Sequence, residues 1–382
     1  MILLTGADGY LGWPTFLKLS KTFPDEQIIG VDNLARRRWV EQIGSVSAIP
    51  IEEIDGRMQA ANEQGFTNLH FIKGDLTDID FVYQLLKQFK PTTIVHLASQ
   101  PSAPYSHING RTAAFTQENN NGMMRNILWG MHELGLEDRH LIVTTTTGVY
   151  GAPEFKIPEG FLTVEGKKGK EKIPYPAMAT SWYHMSRAND INNLFLAHYM
   201  WKIPITDIRT SIIFGSQTEE TKRSEKLATR FDFDFYFGVV PNRFCAQALS
   251  NYPITIYGKG EQKKPMITLE DAATSVVNAV NMNKDKEYEV FNQAALLVSP
   301  KDLGEAVQKA GREAGIDVQL THIKNPRVEK EDHQMEMDNR GFIERLLKKE
   351  PQVLESSIRQ TMTDLLPYRD TISRYQTALL GQ

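Results

Sequence analysis

Residues 1–33 read M-I-L-L-T-G-A-D-G-Y-L-G-W-P-T-F-L-K-L-S-K-T-F-P-D-E-Q-I-I-G-V-D-N, and the choice of fold follows from them. A short apolar run leads into three glycines at spacing three, then a segment of helical length, a second apolar run and an acid. Gly6, Gly9 and Gly12 let the backbone turn tightly and approach a pyrophosphate without a Cβ in the way, while the helix N-terminus favours the negative charge. The stretch therefore predicts a strand, a helix and a second strand that bind a dinucleotide.

The acid at the end of this unit bears on which dinucleotide binds. Asp32 follows Gly12 at the distance where a carboxylate accepts both hydroxyls of an adenosine ribose, and it would repel a 2′-phosphate. We therefore expect NAD rather than NADP, with Asn33 beside Asp32. The basic run Arg36-Arg37-Arg38 is interpreted either as a solvated loop or as a segment that places Arg36 over the adenine.

Four further apolar runs, separated by helix-length segments, extend the pattern over Leu69–Ile72, Thr93–Ala98, Leu141–Thr146 and Ile205–Phe214. Their alternation predicts an α/β protein with a Rossmann-type, doubly wound parallel sheet. Asp75 and Leu76 come soon after the first of these runs and Leu97 lies at the end of the second, at carboxyl ends of strands where such sheets bind ligands. Asp75 could instead cap the next helix.

Composition excludes several classes of protein. The 382 residues are 41% hydrophobic and carry a net charge of only −4, which indicates a globular chain without a nucleic-acid or membrane surface. No apolar run is long enough to cross a bilayer, and the N-terminus begins without a signal peptide, so we expect a cytoplasmic protein. The single cysteine, Cys245, is expected to pack as a small hydrophobe, and no metal site is predicted.

The fifth run ends in T-T-T-T-G-V-Y-G at residues 144–151, and T-S-W-Y-H-M-S-R begins at Thr180 as the start of a helix. A free tyrosine titrates near pH ~10, so it acts as a base only where a fixed cation favours the phenolate. Tyr183 and Arg187 stand four residues apart on one helix face and can both reach the cofactor ribose. They are candidate catalytic residues.

Together these motifs resemble the extended short-chain dehydrogenase/reductase superfamily, whose members rework nucleotide-activated sugars. Within it the chain is similar to the UDP-sulfoquinovose synthases, in stretches that run over nearly the whole length. These stretches are G-Y-L-G-W, V-D-N-L-A-R-R, S-A-P-Y-S, P-Y-P-A-M-A-T-S-W-Y-H-M-S, P-N-R-F-C-A-Q-A, Y-G-K-G-E-Q and N-P-R-V-E-K-E-D-H.

The resemblance implies that UDP-glucose, or a close UDP-hexose, and sulfite give UDP-sulfoquinovose through a 4-keto sugar, with NAD unchanged at the end. Tyr183 would take the proton of the C4 hydroxyl, and Thr146 would hydrogen-bond the C4 oxygen. His184 would move protons when water leaves C6. Without the family, His184 would be interpreted as a packed or capping histidine. The partners implied are a UDP-hexose and either sulfite or a sulfur-donor protein.

The resemblance also implies binding residues. Contacts to the cofactor would come from Gly6, Gly9, Tyr10, Leu11, Gly12, Asp32, Asn33, Arg36, Asp75, Leu76, Leu97, Asn119, Tyr183, Arg187 and Ile212. Contacts to the substrate would come from Gln100, Pro101, Thr146, Thr210, Arg243, Lys259, Gln262, Lys264 and Arg327. Arg243, Lys264 and Arg327 are candidate partners of the diphosphate, although each alone would more often be a surface charge.

Four positions depart from the family pattern. Arg187 stands where the family has lysine; arginine keeps the charge on a bulkier planar group. Pro101 replaces an expected arginine, Thr210 an expected glutamine and Lys264 an expected arginine. Pro101, Thr210 and Lys264 lie near the expected substrate.

We expect two lobes that pack over a cleft: a cofactor domain of residues 1–210 with a returning segment at 265–295, and a smaller C-terminal α/β substrate lobe of residues 211–264 and 296–382. Thr268 should begin a helix, and the amphipathic segment 350–366 should pack on the body or on a second subunit. The basic loop 165–172 is expected to be a solvated hairpin, or else a docking site for a sulfur donor. By analogy with the superfamily, we expect a homodimer formed through two helices, one carrying Tyr183.

Two other functions remain open. An NAD-dependent nucleotide-sugar 4-epimerase or 4,6-dehydratase would use the same 4-keto chemistry without sulfite. A catalytically impaired subunit that binds NAD and a nucleotide sugar is the third interpretation, suggested by Arg187 and Pro101.

Overall fold

The computed structural model describes residues 1–175, 178–282, 287–324 and 333–380. In chain order the strands are β1 (Ile2–Thr5), β2 (Ile28–Asp32), β3 (Leu69–Lys73), β4 (Thr93–His96), β5 (His140–Thr146), β6 (Leu162–Gly166), β7 (Gly169–Ile173), β8 (Ile205–Thr210), β9 (Ile212–Phe214), β10 (Ile254–Tyr257), β11 (Lys264–Thr268), β12 (Tyr288–Gln293), β13 (Leu296–Val298) and β14 (Leu320–Ile323). The α-helices are α1 (Gly12–Thr22), α2 (Ala35–Gln42), α3 (Ile54–Glu63), α4 (Ile79–Phe89), α5 (Gly110–Glu133), α6 (Trp182–Trp201), α7 (Val240–Leu249), α8 (Leu269–Ala279), α9 (Pro300–Glu313), α10 (Leu354–Leu365) and α11 (Arg369–Arg374).

A parallel sheet forms the centre of the molecule. Within the described ranges it has seven strands in the order β3-β2-β1-β4-β5-β8-β12. The chain runs outward from β1 through β2 to β3 and then returns to the other side of β1 with β4. The strand order therefore reverses between β1 and β4, and a crevice opens where their carboxyl ends diverge.

Alternating side chains of the central strands build two cores, one on each face of the sheet. Leu3, Ile29 and Ile94 pack with α4, α5 and α6 on one face. Ile2, Leu4, Ile28, Val95 and Ile142 pack with α1, α3 and α8 on the other. Since successive strand residues point to opposite faces, both faces of the inner strands must be apolar, as their sequences are.

A second body of structure lies beside this sheet. Its small sheet has the order β13-β11-β9, and a separate parallel pair joins β10 and β14. Helices α7, α9 and α10 enclose an apolar core that includes Phe244, Leu303 and Met362. The predicted bounds of the two lobes remain a prediction.

The sequence predicted most of these elements. The α/β class with a doubly wound parallel sheet is confirmed, as are the helix that begins after Thr268 and the packed helix near the C-terminus. Segment 162–173 is an exposed hairpin, and Cys245 is buried in an apolar core. The run 205–214 forms two strands in two different sheets, divided at Ser211.

Two alternatives considered from the sequence are wrong. Arg36-Arg37-Arg38 lies in α2 and is not a loop, and Arg36 and Arg37 pair with the carboxylates of Asp232 and Asp8. Asp75 does not cap α4; Asp78 does, and Asp75 instead accepts the amide of Thr77. Across the described ranges, no helix is both long and apolar enough to span a membrane.

Candidate active site

A cleft of about 1490 Å³ opens at the carboxyl ends of the central strands. Residues from both bodies of structure line it, so one chamber borders the glycine-rich loop as well as the second lobe. The predicted residues on its wall are Gly6, Gly9, Tyr10, Leu11, Gly12, Asp32, Asn33, Arg36, Leu76, Leu97, Pro101, Asn119, Thr146, Tyr183, His184, Thr210, Ile212, Gln262 and Lys264.

The glycine-rich loop has no room for side chains. Gly6 has φ of +77°, and a Cβ there would lie 2.7 Å from the amide nitrogen of Ala98. A Cβ on Gly12 would lie 1.8 Å from the carbonyl oxygen of Gly6. The loop therefore exposes bare backbone at the start of α1, a cradle that fits the pyrophosphate of a dinucleotide.

Asp32 lies beside this loop at the end of β2. One carboxylate oxygen accepts the amide of Asp8 at 3.0 Å and the other accepts the amide of Leu34 at 2.7 Å. Burial and the neighbouring Asp8 raise the pKa of Asp32 to about 6. Asp8 is held in turn by Arg37 at 2.8 Å and by the buried Arg57 at 2.5 Å.

A stretch of nine residues, called here the 229–237 segment, borders both the cofactor side and the substrate side of the cleft. Asp232 accepts the guanidinium of Arg36 at 2.7 Å, and that guanidinium also lies 3.8 Å from the centre of the Phe237 ring. At the other side, the hydroxyl of Ser102 donates to the carbonyl of Tyr236. Helix α2 and the loop after β4 are thus joined through one segment.

Tyr183 stands in the first turn of α6, and two side-chain hydrogen bonds fix the backbone of that turn. Ser181 caps the helix by accepting the amide of His184 at 3.0 Å, and Ser106 Oγ accepts the amide of Tyr183 at 3.2 Å. Within the described part of the chain, the hydroxyl of Tyr183 has no hydrogen-bond partner, and its ring lines the cleft. Burial raises the pKa of Tyr183, and the charge of Arg187 opposes that rise.

Arg187 is not on the wall of the cleft. Its guanidinium is buried between α6 and β5, where Nη2 donates to the carbonyl of Thr144 at 2.5 Å and Nη1 pairs with Asp190 at 2.7 Å. Burial raises the pKa of Asp190 to about 6, although Arg187 acts against this. The structure therefore places the cation behind Tyr183, within electrostatic range of it.

Thr146 and His184 meet at a 3₁₀ turn, Thr147–Tyr150, that follows β5. Thr146 Oγ1 accepts the amide of Gly148 at 3.1 Å. The ring of His184 occupies the space that a side chain at 148 would need, because a Cβ there would lie 2.3 Å from it. Burial, and then the charges of Lys264 and His107, lower the pKa of His184 to about 4, so the ring is neutral at physiological pH.

Several predicted site residues do not line the cleft. Gln100 is buried and its amide donates to Thr116 Oγ1 at 3.1 Å. Asp75 is not on the wall, and its carboxylate accepts the side-chain amide of Asn33 at 3.0 Å. Arg243 lies on α7, 5.4 Å from the ring centre of Phe235, and Lys259 is exposed in the turn after β10. Arg327 lies outside the described residues.

The cleft also contains residues that the sequence did not suggest. His107, Phe235, Tyr236 and Phe237 contribute to its wall, as does His333. The aromatic density of F-D-F-D-F-Y-F at 231–237 was a signal, although its alternation indicates a strand rather than the turns that form. His107 and His333 had no local signal, because long-range packing brings them to the cleft.

Comparison with known proteins agrees with this architecture. Residues 2–294 match the NAD dependent epimerase/dehydratase family. The UDP-glucose 4-epimerase of Thermotoga maritima, solved with UDP-glucose, superposes with a TM-score of 0.68 at 19% identity and covers 95% of this chain and 97% of its own. The UDP-glucuronic acid 4-epimerase of Bacillus cereus, solved with UDP-glucuronic acid and NAD, gives 0.68 at 18% identity, with 95% and 98% covered. These similarities show the fold.

Curated relatives share more of the sequence. The chloroplast UDP-sulfoquinovose synthase of Spinacia oleracea is 38% identical over 381 residues, which is 98% of this chain and 77% of that protein. The UDP-sulfoquinovose synthase of Sulfolobus acidocaldarius is 37% identical over 390 residues, with 99% and 96% covered. The resemblance stated from the motifs is confirmed. The chain therefore belongs to the NAD dependent epimerase/dehydratase family and is an NAD-dependent enzyme.

Proposed function

We propose that the enzyme converts UDP-glucose, or a close UDP-hexose, and sulfite into the UDP-6-sulfosugar UDP-sulfoquinovose through a 4-keto intermediate. The observation that carries this proposal is the similarity of 37–38% over nearly the whole chain to two UDP-sulfoquinovose synthases. The presence of Thr146, Tyr183 and His184 on the wall of one cleft supports it.

The residues of the cleft fit NAD. The glycine cradle at Gly6 and Gly12 would hold the pyrophosphate, and Asp32 would accept the ribose hydroxyls. NAD, when bound, supplies the oxidation at C4 of the sugar and later the reduction there, and so leaves the cycle unchanged.

Tyr183 is the proposed base at C4. Its hydroxyl is unpaired among the described residues, so it is available to a sugar hydroxyl, while Thr146 supplies a second hydrogen bond to the same oxygen. Tyr183 holds the C4 proton during the middle of the cycle and returns it at the end. The buried charge of Arg187 favours the phenolate form that this role needs.

His184 is the proposed proton carrier for the middle steps. The C4 ketone acidifies the C5 hydrogen, and His184, neutral at physiological pH, can accept that proton. The C6 hydroxyl takes up a proton and leaves as water, which creates a double bond between C5 and C6. The sulfur lone pair of sulfite forms the new bond at C6, and C5 regains a proton.

Binding of the nucleotide is assigned to the second lobe. Gln262 and Lys264 line the cleft from this side, Arg243 lies close behind it, and Thr210 and Pro101 border the sugar region. Arg243, Lys264 and Arg327 are the proposed partners of the diphosphate. Sulfite would arrive free or from a donor protein, and the enzyme would act as a homodimer.

A second candidate function is a nucleotide-sugar 4-epimerase or 4,6-dehydratase. It is favoured by the superposition on the Thermotoga maritima 4-epimerase and by Pro101, where the resemblance expects an arginine beside the sugar. Both candidates use the proposed Tyr183 base, but only the first requires sulfite.

The deciding experiment incubates the purified enzyme with NAD and UDP-glucose or UDP-galactose, with and without sulfite, and analyses the products by mass spectrometry. We expect a sulfonated UDP-hexose only when sulfite is present. An epimer or a dehydrated sugar without sulfite, and no sulfonate with it, would favour the second candidate.

The Tyr183→Phe variant tests the base in both functions. It should lose activity by at least about a hundredfold, since a general base contributes roughly that much. Tyr199→Phe is the matched control, because Tyr199 lies on the same helix and is 67% exposed, away from the cleft. Full activity in Tyr183→Phe would contradict the role of Tyr183 as the base in both candidate functions.

A further inference from the structure

The charged side chains of the cleft are unevenly distributed. Within the described residues of its wall, Asp32 is the one acidic side chain, and it lies beside the glycine-rich loop. The basic side chains away from that loop are His107, His184, Lys264 and His333. The wall opposite the cofactor cradle therefore presents positive or neutral nitrogen groups and no carboxylate, a setting that favours an anion.

These four side chains come from different elements but lie together. The backbone of Lys263 pairs with residues 333 and 335, which brings His333 alongside Lys264. The charges of Lys264 and His107 both act on the His184 ring. Lys264 and His107 therefore lie close to His184, the residue assigned to the middle steps of the reaction, and His333 lies next to Lys264.

His107 has a fixed backbone and an available ring. It ends a 3₁₀ turn, Tyr105–His107, whose Ser106 hydroxyl oxygen accepts the amide of Tyr183 at 3.2 Å. His107 is exposed and lines both the cleft and a smaller neighbouring cavity, and in the described part of the chain its imidazole makes no hydrogen bond. The turn thus carries a free imidazole beside the first turn of α6.

We propose that His107 binds the sulfite anion beside His184, with Lys264 adding positive charge to the same wall. This inference rests on the proposed function. His107 would do the work of the arginine that the resemblance expects at position 101, where this chain has proline. An N–H donor on the sulfite oxygens leaves the sulfur lone pair free. That pair becomes the C–S bond at C6. The π pair of the C5–C6 double bond moves into the C4–C5 bond, the π pair of the C4 carbonyl moves onto its oxygen, and the ketone re-forms when C5 takes a proton.

Calorimetric titration of sulfite into the Tyr183→Phe variant, loaded with NAD and UDP-glucose, tests the site without turnover. Titration with NAD alone corrects for addition of sulfite to the nicotinamide ring. Adding His107→Ala should weaken sulfite binding roughly tenfold, as expected for one hydrogen bond to a charged group. The affinity for UDP-glucose should stay the same.

Two further variants separate a binding role from a structural one. Pro101→Arg in the His107→Ala background should restore sulfite binding, because Pro101 is exposed on the same cleft wall. His70→Ala is the matched control, since His70 is an exposed histidine on β3 that does not line the cleft. It should bind sulfite as the parent does.

Equal sulfite binding with and without His107, or no sulfite binding to the loaded Tyr183→Phe enzyme, would overturn the inference. If sulfite binding depends on His107 but the active enzyme forms no sulfonate, the proposed function fails and the anion site stands. In the active enzyme, His107→Ala should raise the KM for sulfite and leave the KM for UDP-glucose in place.

Discussion

Arg187 lies close enough to Tyr183 to act on its charge, although it does not reach the cleft. Its guanidinium is shielded from the cleft and anchored by Asp190 and the carbonyl of Thr144. Burial works against a charged Tyr183, and the buried cation works for it. The side chain therefore acts on the tyrosine through its charge rather than through contact with the ligand that occupies the cleft.

The pH profile of kcat tests this electrostatic role. Replacing Arg187 with Gln removes the cation, so the pKa of Tyr183 should rise and the acid limb of the profile should move to higher pH. Arg187→Lys keeps the charge and should leave the limb close to its original position. If the acid limb lies at the same pH in Arg187→Gln, in Arg187→Lys and in the parent enzyme, Arg187 has only a structural role.

Gly148 determines where the His184 ring can lie. A methyl group at 148 would displace the ring, so Gly148→Ala should lower turnover and cost about 1–3 kcal/mol of stability, as overpacking does. Binding of NAD should be unaffected. Gly110→Ala is the control, since nothing lies within 4 Å of its added Cβ. Normal turnover in Gly148→Ala would contradict the proposed role of His184.

At the scale of elements, α6 is the helix whose start matters for the chemistry. Ser181→Ala removes its cap and should cost about 1 kcal/mol of unfolding free energy and also lower kcat, because Tyr183 and His184 lie in the first turn. Ser299→Ala removes the cap of α9 at a similar cost, and there kcat should not change. Chemical denaturation and steady-state rates measure both effects; equal kcat losses would contradict a local role for the α6 cap.

Elements defined by short stretches were predictable, and contacts between distant stretches were not. The glycine loop, the strands and the starts of α6 and α8 follow from local patterns. The guanidinium of Arg36 pairs with Asp232, which lies 196 residues away. His107 reaches the cleft because the loop after β4 packs on α6. No spacing in the sequence predicts either contact, because each joins segments that only the folded chain brings together.

At the scale of the whole molecule, buried histidines should make the enzyme sensitive to acid. Burial lowers the pKa of His140 from 6.5 to about 4, and its Nε2 pairs with Thr206 at 2.9 Å. Between these values the unfolded chain binds a proton and the folded chain does not, so stability falls as pH drops from about 6.5 to about 4. The free energy of unfolding lost through His140 over this pH range is about 3 kcal/mol.

His140→Gln should remove this part of the acid sensitivity. Denaturation by urea at several pH values should give a flatter decline for the variant than for the parent enzyme. Buried carboxyls such as Asp190, whose pKa is raised, change stability in the opposite direction, but they do so equally in both proteins. His70→Gln, at an exposed position, should keep the parent slope. An unchanged slope in His140→Gln would contradict the prediction.

The proposed homodimer is also a property of the whole molecule. Leu196, Tyr199 and Met200 on α6 are 54%, 67% and 58% exposed, and Trp129 on α5 is 43% exposed, an apolar surface suited to a second copy. Leu196→Glu should therefore halve the mass measured by light scattering. Val164→Glu, on the exposed hairpin, should not change it. A monomeric parent enzyme would rule out the dimer.

The 229–237 segment joins the two walls of the cleft, through Arg36 on one side and Ser102 on the other. Parting these walls means breaking a partly buried ion pair and a hydrogen bond, so we expect exchange of a nucleotide held between them to be slow. In the proposed cycle the electrons that leave the sugar return to the same sugar. We therefore expect the protein to purify with its cofactor and to work at a rate indifferent to the cellular ratio of oxidised to reduced NAD.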